Sequence, residues 1–127
     1  MTVSLVTGGA GFIGSHLIGK LLELGYFVKA LDLPNIEDAI NLREFSGNPK
    51  LEYISGDIRN IKEVNEFFCK ESTTIFHLAS IVGVRYYMED PLSLIDISVI
   101  GTKNILKLCL EYNTRILFTS TSEIYGK

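Results

Sequence analysis

Two kinds of apolar pattern alternate along this chain. Compact apolar runs fall near residues 2–7, 27–32, 51–55, 73–78 and 115–120. They are short enough for strands. Between them lie longer segments, near 12–24, 36–46, 60–70 and 91–112, where apolar residues recur at helical spacing. Regular alternation of strand and helix implies parallel pairing through right-handed crossovers. Helices then cover both faces of the sheet, so its strands should be almost wholly apolar. Ile75-Phe76-His77-Leu78-Ala79 and Ile116-Leu117-Phe118 fit that expectation. The expected fold is α/β, a doubly wound parallel sheet of about five strands in the order 3-2-1-4-5. The one polar loop with turn chemistry is Ser46-Gly47-Asn48-Pro49, which parts a helix from the third strand.

The first crossover carries the strongest chemical signal. After the strand residues Val3-Ser4-Leu5-Val6 come Gly8, Gly11 and Gly14, and a helix pattern starts at Phe12. A strand that turns through glycines into a helix presents unpaired amide groups and a positive helix end, which suits a pyrophosphate. The glycines let backbone and phosphate approach closely, and the last lets helix pack on strand. The next apolar run, Phe27-Val28-Lys29-Ala30-Leu31, ends in Asp32. A carboxylate there can accept hydrogen bonds from the adenosine ribose of NAD and would repel the extra phosphate of NADP. This is the fingerprint of a Rossmann-type sheet. Other strand ends carry small or polar residues too: Asp57-Ile58, Ala79-Ser80-Ile81 and Thr119 to Glu123. Ligands of such sheets bind at those carboxyl ends.

Composition narrows the field. The chain has 127 residues, 46% of them hydrophobic, and a formal net charge of -3. That predicts one domain and argues against nucleic-acid or membrane-surface partners. No apolar run reaches membrane-spanning length, and the first residues read as a strand rather than a leader. Cys69 and Cys109 lack metal-ligand spacing and read as buried thiols of a reducing, cytoplasmic compartment. His16 and His77 form no metal pair.

Taken together, the motifs resemble the extended short-chain dehydrogenase/reductase family, the NAD-dependent nucleotide-sugar epimerases and dehydratases. The resemblance rests on Thr7 to His16, Gly56-Asp57-Ile58-Arg59, His77-Leu78-Ala79-Ser80, Ile100 to Asn104 and Ser120 to Gly126, in that order. It implies that Gly8, Gly11, Phe12, Ile13 and Gly14 hold the pyrophosphate and Asp32 the ribose. It places Asp57 and Ile58 beside adenine, and Leu78, Ala79 and Ser80 beside the nicotinamide half. Thr121 becomes the hydroxyl of the family's Ser/Thr-Tyr-Lys set. Ser122 and Glu123 follow it where dehydratases carry Asp-Glu, so the pair is closer to UDP-glucuronate decarboxylases and some epimerases. Glu123 could act in acid–base work or simply cap a turn. Ser98 departs from the asparagine usual at its position.

No Tyr-x-x-x-Lys pair occurs in these residues. The resemblance places that pair, the last strands and the substrate subdomain beyond Lys127. Residues 1–127 are thus expected to be an incomplete NAD-binding domain of an epimerase, dehydratase or decarboxylase, inactive alone. A non-catalytic NAD-binding or scaffold module is the alternative. An NADP-dependent alcohol or ketone reductase is a third reading, against which Asp32 speaks. Helix 91–112 shows two apolar stripes: Leu92, Ile95, Val99, Leu106 and Cys109, and Leu94, Ile97, Ile105 and Leu108. One should cover the sheet and the other should drive homodimerisation or self-association. Arg85, Tyr86 and Tyr87 read either as substrate contacts or as a packed aromatic loop, and Lys103 as a surface lysine.

Overall fold

The computed structural model describes residues 2–126, with the side chains of Val84, Tyr87 and Ser122 outside the described set. Five strands form one sheet in the order β3-β2-β1-β4-β5, with every pairing parallel. They are β1 (Val3–Thr7), β2 (Phe27–Asp32), β3 (Leu51–Ser55), β4 (Ser72–His77) and β5 (Arg115–Phe118). This is the expected doubly wound order. Thr7 pairs with Leu31 on one side and His77 on the other. The carboxyl ends of the three central strands therefore lie level, which gathers their loops at one rim.

Alternation along the strands separates two cores. Val6, Val28 and Ala30 face α1 (Phe12–Glu23), where they meet Ile18, Leu21 and Leu42. Leu5, Leu31 and Ile75 face α2 (Ile61–Phe67) and α5 (Thr102–Tyr112), where they meet Val64, Phe67, Ile105 and Leu108. β1 is buried along its whole length. β5 is not: Leu117 and Phe118 are largely exposed, so the expectation of two covered faces holds at the centre of the sheet and fails at this edge.

Helix ends follow local chemistry. Asn60 caps α2 by accepting from the Lys62 amide. Asp90 caps α4 (Pro91–Ile95), accepting from Ser93, with Pro91 in the first turn, where its missing N–H costs nothing. Asn113 closes α5 in the left-handed conformation.

The structure corrects several expected elements. The segment read as a helix over 36–46 is a 3-10 helix at Ile40–Phe45. Its inward residues, Ala39, Leu42 and Phe45, repeat every three positions, the 3-10 period. A short helix, α3 (Val84–Glu89), occupies what was read as loop. The helix read over 91–112 is α4 and α5 joined by a π-helical segment at Asp96–Gly101. Cys109 faces the sheet with Ile105, one turn earlier, and not with Leu106 as the stripes suggested.

Candidate functional site

The glycine turn is built by close approach. Gly8 has a left-handed φ of 71°, and a Cβ there would meet the Ala79 amide nitrogen at 2.9 Å. A Cβ on Gly14 would land on the Gly8 carbonyl. Both glycines are demanded by the fold itself. Gly11 differs: its φ is ordinary and a Cβ would meet only the Gly8 oxygen, at 3.3 Å. The space over Gly11 is left open to a ligand. The first hydrogen bond of α1 runs from the Ser15 amide to the Gly11 carbonyl at 3.0 Å. The preceding amides of Phe12, Ile13 and Gly14 are the orphan donors of the helix start.

Asp32 braces this turn. Its Oδ2 accepts from the Ala10 amide at 3.0 Å and its Oδ1 from the Leu33 amide at 2.8 Å. Asn41, from the 3-10 helix, donates to the Ala10 carbonyl at 2.9 Å. Sequence reasoning missed Asn41, because nothing local marks a residue that acts across 31 positions. The loop after β2 is tied down from β3. The Tyr53 hydroxyl donates to the Pro34 carbonyl at 2.7 Å and Ser55 to the Leu33 carbonyl at 3.1 Å. Burial, and then the Asp32 charge, push the Tyr53 hydroxyl well above its ordinary pKa, so it keeps its proton.

In the loop after β3, the Asp57 amide donates to Glu63 Oε2 at 2.6 Å. The Asp57 carboxylate is held by the Arg59 amide and guanidinium, with Nη2 to Oδ2 at 2.6 Å. That pairing keeps its pKa below the usual carboxylate value. Three donor groups of Arg59 (N, Nε, Nη2) thus make four hydrogen bonds to the carboxylate, two on each oxygen, so in this arrangement its acceptor directions are taken up by Arg59. Ile58 is buried beside it.

At the end of β4, Thr7 Oγ1 lies 3.2 Å from the amides of both Leu78 and Ala79. It accepts from them, so its own proton goes to His77 Nδ1 at 2.7 Å. His77 must then carry its proton on Nε2, which donates to Thr102 Oγ1 at 3.1 Å. Burial lowers the His77 pKa to about 4, consistent with this neutral form.

After β5, Thr121 Oγ1 accepts from the Glu123 amide at 3.3 Å and so caps the 3-10 turn Ser122–Tyr125. Among the described residues its hydroxyl proton has no acceptor. The Ser122 side chain lies outside the described residues.

These strand ends enclose a cleft of about 880 Å³. It gathers all eleven expected cofactor residues, Gly8, Gly11, Phe12, Ile13, Gly14, Asp32, Asp57, Ile58, Leu78, Ala79 and Ser80, and also Thr121. Glu123 is exposed and outside its lining. Arg85 also lies outside and pairs with Glu89 at 2.7 Å on exposed α3. Among the described residues no helix is long and apolar enough to cross a membrane. Donor amides at one end, a bare glycine beneath them and carboxylates farther along fit a dinucleotide.

Comparison with known proteins agrees. A family model described as GDP-mannose 4,6 dehydratase matches residues 5–127. A UDP-N-acetyl-alpha-D-glucosaminuronate decarboxylase of Bacillus cytotoxicus is 39% identical over 123 residues, covering 97% of this chain and 37% of the relative. A putative UDP-glucose 4-epimerase of Methanocaldococcus jannaschii is 38% identical over 125 residues, covering 97% of this chain and 39% of the relative. The crystal structure of a Thermus thermophilus UDP-glucose 4-epimerase in complex with NAD superposes with a TM-score of 0.76 at 33% identity, over 94% of this chain and 38% of that one. The chain thus spans less than two-fifths of the length of each protein it matches here.

Proposed function

Because the chain belongs to the GDP-mannose 4,6 dehydratase family, NAD-dependent nucleotide-sugar enzymes of the extended short-chain dehydrogenase/reductase type, we propose that its cleft holds NAD and serves hydride transfer at a sugar carbon. Residues 1–127 form part of the cofactor-binding domain in this reading, and the substrate is a sugar nucleotide. The setting is cytoplasmic.

The open space over Gly11 carries the reading. Amides of Phe12, Ile13 and Gly14 donate to the pyrophosphate, and the bare Gly11 allows its approach. Asp32 keeps lone pairs beyond those used by Ala10 and Leu33, and these accept from the ribose hydroxyls. The same negative charge disfavours a further phosphate. Asp57 and Ile58 border the adenine, and the Asp57 carboxylate accepts from the adenine amino group once the shared Arg59 Nε bond yields one of its two oxygens. Leu78, Ala79 and Ser80 border the nicotinamide half. When bound, NAD takes a hydride from a sugar carbon and returns it.

Thr121 supplies the substrate contact. One lone pair is engaged by the Glu123 amide, so the hydroxyl donates its proton to a sugar oxygen and steadies the charge that grows there. These 127 residues contain no Tyr-x-x-x-Lys pair. Alone they are therefore expected to bind NAD without turning over substrate, since no group takes up the proton released with the hydride. Ser122-Glu123 and the names of the decarboxylase and epimerase relatives favour those reactions over 4,6-dehydration.

Gly11→Ala tests the reading. Its backbone angles suit alanine, so the variant should keep the wild-type circular dichroism spectrum. NAD affinity should fall by roughly tenfold or more as the methyl fills the pyrophosphate space. A folded Gly11→Ala variant that binds NAD as tightly as wild type would contradict it.

A further inference from the structure

Gly101, Thr102 and Asn104 open α5, and of the three Thr102 is the one that meets His77. We propose that this single turn is a clamp that positions both halves of the cleft, an inference that rests on the reading of the cleft as an NAD site.

One end holds the adenine side. Asn104 Nδ2 donates to the Ile58 carbonyl at 3.0 Å and to the Arg59 carbonyl at 2.9 Å. The Ile58 side chain lies on the bare face of Gly101, where a Cβ would come 2.6 Å from Ile58 Cγ1. A larger residue there would push the loop away from the helix. The loop that carries Asp57 and Ile58 is thus tied through its backbone and seated through its side chain.

The other end holds the nicotinamide side. Thr102 Oγ1 receives the Nε2 proton of His77. His77 Nδ1 receives the Thr7 proton, and the Thr7 oxygen receives the Leu78 and Ala79 amides. Each donor in this relay fixes the direction of the next, so losing Thr102 frees the His77 ring and the strip beyond it. Thr102 and Asn104 are positioning residues, since neither lines the cleft.

The two ends predict separable effects. AMP probes the adenine side alone, whereas NAD spans both. Calorimetric titration with each should show Asn104→Ala weakening AMP and NAD alike, by roughly fivefold, the worth of one net hydrogen bond. Thr102→Val should weaken NAD by a similar factor and leave AMP unchanged, and Thr102→Ser should restore NAD. Hydrogen exchange at the Ala79 amide should accelerate in Thr102→Val and not in Thr102→Ser. Asn104 is half-buried and its loss strands no buried donor, so Asn104→Ala decides the question even if the valine variant fails to fold. Equal loss of AMP and NAD in Thr102→Val, or unchanged AMP binding in Asn104→Ala, would overturn the clamp. A wild-type chain that binds neither ligand would overturn the NAD reading itself, and the clamp with it.

Discussion

His77 shows how one residue's surroundings set a measurable property. Its near neighbours Thr7, Thr102 and Phe118 carry no charge, so burial alone decides its protonation. The folded pKa of about 4 lies below the ordinary value of 6.5. The fold therefore favours the neutral ring. This contribution is fully present above about pH 6.5 and is lost as pH falls toward 4, on the order of 3 kcal/mol in all. The pKa of Asp57 is lowered as well, but its stabilisation is lost only at more acid pH, below the ordinary carboxylate value. Thermal melts from pH 7 to pH 4.5 should show a falling midpoint in wild type and a flatter one in His77→Gln. Equal slopes would contradict the assignment. At this scale the sequence showed Gly8, Gly14 and Asp32 readily, because turn chemistry is local. It did not show Asn41, or the partners of His77, because those contacts join residues 25 to 70 positions apart.

Elements are held by their ends as much as by their faces. Asn113 closes α5 with φ at 52°, and its amide reaches the Cys109 carbonyl. Left-handed backbone costs most L residues roughly 1 kcal/mol, asparagine less and glycine almost nothing. Asn113→Ala should therefore lower stability by about 1 kcal/mol and Asn113→Gly should raise it slightly, both read from urea denaturation midpoints. The opposite order would refute the cap. Strands and the two regular helices at α1 and α2 were legible from apolar spacing. The 3-10 helix at Ile40–Phe45 was not, because Ala39, Leu42 and Phe45 share a spacing of three that also suits the start of an α-helical stripe. The π segment before α5 was equally hidden, since an extra residue in a turn leaves no mark in composition.

Among the exposed apolar side chains of the whole molecule, two groups lie together on regular elements. Leu92, Ile95, Val99, Leu106 and Leu110 are exposed along α4, the π segment and α5, with Leu110 at 86%. Leu117 and Phe118 are exposed on edge strand β5. Such surface favours association. We expect the chain to self-associate in light scattering, and a Val99→Glu, Leu110→Glu pair to shift it toward monomer. A wild-type monomer across micromolar concentrations would contradict this. The central claim is that strand ends level with one another build an NAD site in which Asp32 excludes a further phosphate. Calorimetric titration of the 127-residue chain with NAD and NADP tests it most directly. The account predicts saturable binding of NAD and at least roughly tenfold weaker binding of NADP. A folded chain that binds neither, or binds both equally, would contradict it.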